Sequence, residues 1–262
     1  MYCRSNYPPK ICQRSFVTGA FGILRVWHDL VNPSRSTMSY TQKRALVVVF
    51  PGFNVLDVSG PVSVLYNSDF SVSYAAKDEL TTSQENATVK RDISLAEAKL
   101  HLSDYEILIV PGSRPNNILP HMEQLSELVE FIACFASDTD QDSVRQRTIL
   151  AVCIGAYLLA FGGVLDGLTA TTHRLAAPGL RDATQHYLDR TPGAKGTRVV
   201  PEHPSELVSF LDAGLNQFGV RIITTGAMVN GIDAALHFVS LGSSRSLAIE
   251  VAGLIGHQWK DI

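Results

Sequence analysis

The sequence predicts a single-domain α/β fold, a doubly wound, mostly parallel sheet with helices on both faces. Three observations predict it. Short, wholly apolar, β-branched runs recur, as strands covered on both faces require. Between them lie segments with apolar residues at i, i+3, i+4 and i+7, the stripe of a helix lying on a sheet. Two of the apolar runs stop at Pro-Gly, the punctuation of a chain turning away from a strand end.

The first strand is Ala45–Phe50, broken by Pro51-Gly52. Ser59-Gly60-Pro61 reads as a helix start with proline at its first position. Phe70–Ala76 alternates as a second strand, and polar residues 77–98 form an excursion with a short hairpin. Glu106–Val110 is a buried strand ended by Pro111-Gly112, and Leu125, Leu128, Val129 and Ile132 mark a helix. A polar loop, 137–147, leads into the run Thr148–Val152, which stops at Cys153; a helix-forming run follows and ends at Gly162-Gly163. Leu180–Leu188 is a helix and Thr197–Val200 a strand. Residues 201–219, with Pro201, Pro204, Gly214 and Gly219, read as an insertion or long connection. Arg221–Thr225 is the last strand, and helices at about Asn230–Leu241 and Ser246–Trp259 follow it.

Bulk properties exclude several functions. Hydrophobic content of 45% in 262 residues suits a soluble protein with a sizeable core, and no apolar run is long enough for a membrane span. Residues 1–44 carry seven Lys/Arg against one acid, leaving 15 basic and 24 acidic residues beyond, a net of −9. Such an acidic body argues against nucleic-acid binding. Cys3, Cys12, Cys134 and Cys153 form no CxxC pair and no metal-ligand spacing, so a reducing, cytoplasmic setting is expected. Residues 1–44 read as an N-terminal extension outside the 45–262 domain: a mitochondrial transit peptide, a disordered arm, or the product of a start upstream of Met38.

Cys153 is the candidate nucleophile. A strand that stops at a cysteine, with Gly155-Ala156 opening a helix, has the layout of a nucleophile elbow. A helix N-terminus there would lower the thiol pKa from about 8.5 toward roughly 3.5–7.5; the bland alternative is a small buried hydrophobe. In an open α/β sheet the site lies beyond the carboxyl ends of the strands. Asp57, Gly112 and Cys153 each follow a strand closely and so converge there. Gly112 and Ile154 offer backbone N–H groups to a developing anion. Asp57, flanked by apolar residues, reads either as a desolvated acid or as an ordinary helix cap. His173 reads either as a group that orients the site or as a hydrogen-bonded core residue. No G-x-G-x-x-G and no Walker-type loop is present, so no nucleotide cofactor is expected, and no other cofactor or metal.

At this point the chain resembles the ThiJ/PfpI superfamily, with a class I glutamine amidotransferase-like (flavodoxin-like) fold. Four strings carry the resemblance: Phe50–Pro61, Ile109–Gly112, Val152–Ala156 continuing through Leu165–His173, and Thr225–Asp233. The Leu56-Asp57 and Thr171-Thr172-His173 elements are similar to those of isocyanide hydratases and of the amidase-like domain of some AraC-type regulators. The resemblance implies that Cys153 is the nucleophile, Asp57 the acid beside it, and the amides of Gly112 and Ile154 an anion cradle. It also implies a homodimer acting on a small molecule.

Ile154 stands where the hydratase group has threonine, which removes a hydroxyl and makes the pocket more apolar. PfpI-type peptidases have histidine there, so Ile154 argues against a Cys-His peptidase. The reading expected from these features is a cysteine-dependent isocyanide hydratase-like lyase. The alternatives are glyoxalase or deglycase chemistry on α-oxoaldehydes, or a redox- or ligand-sensing domain.

Overall fold

A parallel strand buried on both faces reads as a near-continuous apolar run, and β1 (Lys43–Val48) does so over its last four residues. The computed structural model describes residues 42–138, 146–203 and 205–260. The expectations for residues 1–41 and for most of the 137–147 loop lie outside the described residues. The expected first strand overshoots by two residues, because Val49 and Phe50, although buried, lie past the last ladder pair and lead into the Pro51-Gly52 turn.

Helix α1 (Val55–Tyr66) begins four residues before the Ser59-Gly60-Pro61 signal. Asn54 explains the difference. Its side-chain oxygen accepts from the N–H groups of Leu56 (2.9 Å) and Asp57 (3.1 Å), satisfying two of the otherwise free first-turn donors. Pro61 therefore lies inside the helix and deprives only the Asp57 carbonyl of its i+4 donor.

Strand β2 (Phe70–Ala76) is followed by the hairpin β3 (Leu80–Thr82) and β4 (Thr88–Lys90), then β5 (Ile93–Ser94) and the short α2 (Leu95–Lys99). Next come β6 (Ile107–Val110), α3 (Pro115–Ile118) and α4 (Ser126–Ser137), whose Leu128 and Ile132 face the core. β7 (Thr148–Ala151) leads through a 3₁₀ turn at Cys153–Gly155 into α5 (Ala156–Phe161). After β8 (Thr169–Thr171) the chain forms α6 (Ala177–Arg190), β9 (Arg198–Val200), β10 (Phe210–Leu215) and β11 (Arg221–Thr225). Two helices, α7 (Asn230–Gly242) and α8 (Arg245–Leu254), follow.

Seven strands form the main sheet in the order β10-β11-β7-β6-β1-β2-β5, parallel except for the β10–β11 pair. Val47, Ile109, Leu150 and Ile223 lie in one row across its centre. The turns after β1, β6, β7 and β11 therefore meet at one edge, where the expected crevice lies. The sheet and its helices match the predicted doubly wound class.

Three corrections concern the C-terminal half. Residues 201–219 are not a plain connection, since β10 lies within them as an antiparallel edge strand. Its alternation is masked because Asp212 turns inward to Arg221 (2.6 Å) and His237 (3.0 Å). The Arg198–Val200 strand pairs with β8 in a separate two-stranded sheet. Helix α8 stops at Leu254 instead of continuing to Trp259. Gly256, at φ +70, lets Gly256 N–H reach Gly253 O and His257 N–H reach Ala252 O, closing the last turn. Among the described residues no helix is long and apolar enough to cross a membrane.

Candidate active site

The elbow is strained where the chemistry would occur. Cys153 adopts φ +55, a left-handed conformation that costs a residue with a Cβ roughly 1–3 kcal/mol. Such a conformation persists only where its surroundings enforce it. Here the Cys153 N–H donates to Thr225 Oγ1 (3.0 Å), and its carbonyl accepts from Thr172 Oγ1 (2.9 Å). The Gly155 N–H turns back to Val152 O (2.8 Å). Gly155 has no room for a side chain, because a Cβ would lie 2.4 Å from Val110 O.

Asp57 reaches the same place from α1. It is 1% exposed, and its Oδ2 accepts from the Gly112 N–H at 2.8 Å. The Gly112 carbonyl in turn accepts from Asn54 N–H (2.9 Å), so the turn after β6 is pinned to the start of α1 from both sides. Asp57 Oδ1 is buried with no partner. Asn54, not Asp57, makes the helix cap, so capping does not explain this carboxyl.

Electrostatics follow from burial. Desolvation pushes the Asp57 carboxyl up to about 7; the Gly112 N–H opposes the rise and the negative Glu85 adds to it. Glu85 stands close by, accepting from Asn54 Nδ2 (2.9 Å) and Val55 N–H (3.1 Å). The half-buried Cys153 thiol is pushed up to about 12, first by burial and then by the Asp57 charge.

That overturns the expected lowering of the thiol. The Ile154 N–H pulls in the expected direction but is outweighed, and the six-residue α5 behind it provides only a short dipole. Burial and the negative Glu85 raise Asp57, and the Asp57 charge in turn raises the thiol, so the site resists a second negative charge.

The remaining expected site residues fall differently. The Gly112 amide is present but already engaged by Asp57, so it is not a free anion donor in this arrangement. A Cβ on Gly112 would lie 2.8 Å from Ile154 N and 2.9 Å from Asp57 Oδ2. Gly112→Ala is therefore expected to push the Asp57 carboxyl and the elbow backbone away from the β6 turn, so that the Asp57-dependent step is lost from a thiol-reactivity profile.

Ile154 puts its side chain into the hydrophobic core, 3% exposed, and offers the site only its amide. Its departure from threonine thus removes a hydroxyl and adds a buried apolar side chain. His173 is half-buried and its carbonyl accepts from Ala176 N–H (2.7 Å) ahead of α6; the hydrogen bonds of the site do not include its imidazole. Sequence reasoning missed Glu85, and it quoted Asn54, Thr172 and Thr225 only within strings, with no role.

A cavity of about 610 Å³ lies nearby, floored by Val49, Phe50, Leu95, Leu125 and Leu128. Neither Cys153 nor Asp57 lines it, so it is not the crevice that holds the pair.

Residues 43–217 match the model of the DJ-1/PfpI family. The chain belongs to the DJ-1/PfpI family. Among curated relatives of this DJ-1/PfpI protein, the Danio rerio Parkinson disease protein 7 homolog is 30% identical over 151 residues, covering 55% of this chain and 72% of that one. A ThiJ/PfpI family protein from Pseudomonas syringae superposes with a TM-score of 0.62 at 18% identity, over 84% of this chain and 77% of its own. Drosophila melanogaster DJ-1beta gives the same TM-score and identity, over 83% of this chain and 100% of its own. Both solved structures share the fold.

Proposed function

We propose that this DJ-1/PfpI protein is a cysteine-dependent hydratase-like enzyme that converts small isocyanides to N-formamides. The observation that carries this reading is the buried Asp57 carboxyl, held near neutral with one oxygen unpartnered, beside a half-buried cysteine at a strained elbow. Hydration of an isocyanide needs an acid–base group that both takes and returns a proton at neutral pH, and a pKa near 7 is best placed for that. Acyl transfer instead needs free donors aimed at an oxyanion. Here the amides of Gly112, Cys153 and Gly155 already have partners.

The steps balance. Asp57 accepts the thiol proton as Sγ bonds to the terminal isocyanide carbon, then delivers that proton to the same carbon, leaving a thioimidate on Cys153. Water adds to the C=N carbon, giving one proton to Asp57, which passes it to nitrogen. Collapse breaks the S–C bond, and the water's remaining proton returns to sulfur as the N-formamide leaves.

Aryl isocyanide consumption, followed by formamide appearance, tests the proposal. Wild type is expected to turn over the isocyanide and Cys153→Ala to fall to the uncatalysed rate. Faster wild-type turnover of methylglyoxal than of the isocyanide would replace this reading with glyoxalase chemistry. If wild type and Cys153→Ala act equally on both, neither reading stands.

A further inference from the structure

We infer that Thr225 and Thr172 are positioning residues that clamp Cys153 from both sides of its backbone and hold it in register with Asp57. The catalytic consequence rests on the function proposed above, whereas the clamp rests on geometry alone. Thr225, at the end of β11, accepts the Cys153 N–H at 3.0 Å. Thr172, just past β8, donates to the Cys153 carbonyl at 2.9 Å. Both threonines are buried, so water does not compete for either bond. The two anchors belong to different strands, so the φ +55 of Cys153 is set by the sheet edge and not by local turn preference.

The clamp extends to the acid. Thr225 Oγ1 donates to Ala227 O (3.3 Å), which leaves its lone pair directed at Cys153. The next residue, Met228, accepts at Sδ from Asn54 Nδ2 (3.2 Å), and Asn54 Oδ1 accepts from the Asp57 N–H (3.1 Å). A connected path therefore runs from the cysteine amide through Thr225 and the Ala227-Met228 loop to the acid. Gly226 keeps that loop close: a Cβ there would lie 2.0 Å from Val208 O. Threonine suits this task because its branched Cβ restricts χ1. Serine would supply the same bonds with more freedom.

The test is the pH dependence of Cys153 alkylation by iodoacetamide, read by peptide mass spectrometry with Cys134 as the internal reference. This needs no substrate, so its failure is separate from failure of the proposed reaction. Wild type is expected to show a first rise near the Asp57 titration and a second at high pH. Thr225→Val leaves the Cys153 N–H unpaired and frees the elbow. It is expected to collapse the profile to a single step at least about one pH unit below the wild-type upper step, with Cys153 no longer held against the Asp57 charge.

Thr225→Ser is expected to keep the two-step profile. Thr172→Val, acting on the carbonyl side, is expected to reproduce the collapse and serves if Thr225→Val does not fold. Profiles for both valine variants that superimpose on wild type would overturn the clamp, as would a serine variant that behaves like valine. In the isocyanide assay the valine variants are expected to lose about tenfold or more in kcat with little change in KM, as for a group that acts on geometry and not on binding.

Discussion

Asp57→Asn is expected to slow the proposed isocyanide hydration by roughly 100- to 10,000-fold, the usual contribution of a positioned acid–base group, while making the folded protein more stable above neutral pH. The two effects share one cause. The folded carboxyl sits at about 7 against an ordinary 3.8, so the folded state keeps a proton that the unfolded chain gives up. A raised carboxyl contributes stability that is complete below the unfolded value and is lost as pH rises through the folded one. Over that window the loss is about 4 kcal/mol.

Asparagine does not titrate and can still accept from the Gly112 N–H. The variant is therefore expected to match wild type below about pH 4, to gain on it progressively from there to about pH 7, and to keep the full advantage above that. Urea unfolding at several pH values measures this. The same substitution removes the charge that raises the thiol, so Cys153 is expected to alkylate faster at pH 8 while catalysing more slowly. A variant that loses rate and thiol reactivity together would point to a damaged elbow instead of a missing acid.

Gly155→Ala carries the second large effect. A Cβ would lie 2.4 Å from Val110 O and 2.9 Å from Pro111 O, both backbone atoms of the β6 turn that cannot rotate away. The elbow and the turn bearing Gly112 must separate, and overpacking of this kind costs about 3 kcal/mol or more. The turn also sets the Gly112–Asp57 bond. The variant is therefore expected to lose the proposed hydration activity completely and to melt several degrees lower. Denaturant midpoint and thiol alkylation, measured on the same sample, separate the two losses. Wild-type stability and activity in this variant would contradict the packing at the elbow.

Legibility in the sequence varied with the range of the interaction. Apolar, β-branched runs gave the central strands nearly residue by residue, because both faces of a parallel strand are covered and only threonine joins the apolar residues among the buried positions. The elbow was equally visible, since a strand, a cysteine and a small-residue helix start are all local features. The start of α1 was misplaced because two local signals competed, and the Asn54 side chain prevailed over a proline that the helix tolerates in its interior. β10 was hidden by Asp212, a charged residue turned inward to Arg221 and His237 from distant segments.

The thiol pKa moved in the opposite direction from that expected at a helix N-terminus. Its position beside a helix start is a sequence fact, but its burial and the approach of Asp57 arise from packing across the sheet edge. The threonine contacts have the same origin: Thr225 stands 72 positions from Cys153, and only the strand order brings them together.

The central claim is that Asp57 remains protonated up to neutral pH beside Cys153. Titration of the Asp57 carboxyl by carbon NMR, in protein labelled at aspartate and assigned with Asp57→Asn, measures it most directly. The account predicts a midpoint near 7 that stays there when Cys153 is replaced by alanine, because the thiol is still neutral at that pH. A midpoint near the ordinary 3.8 would contradict it.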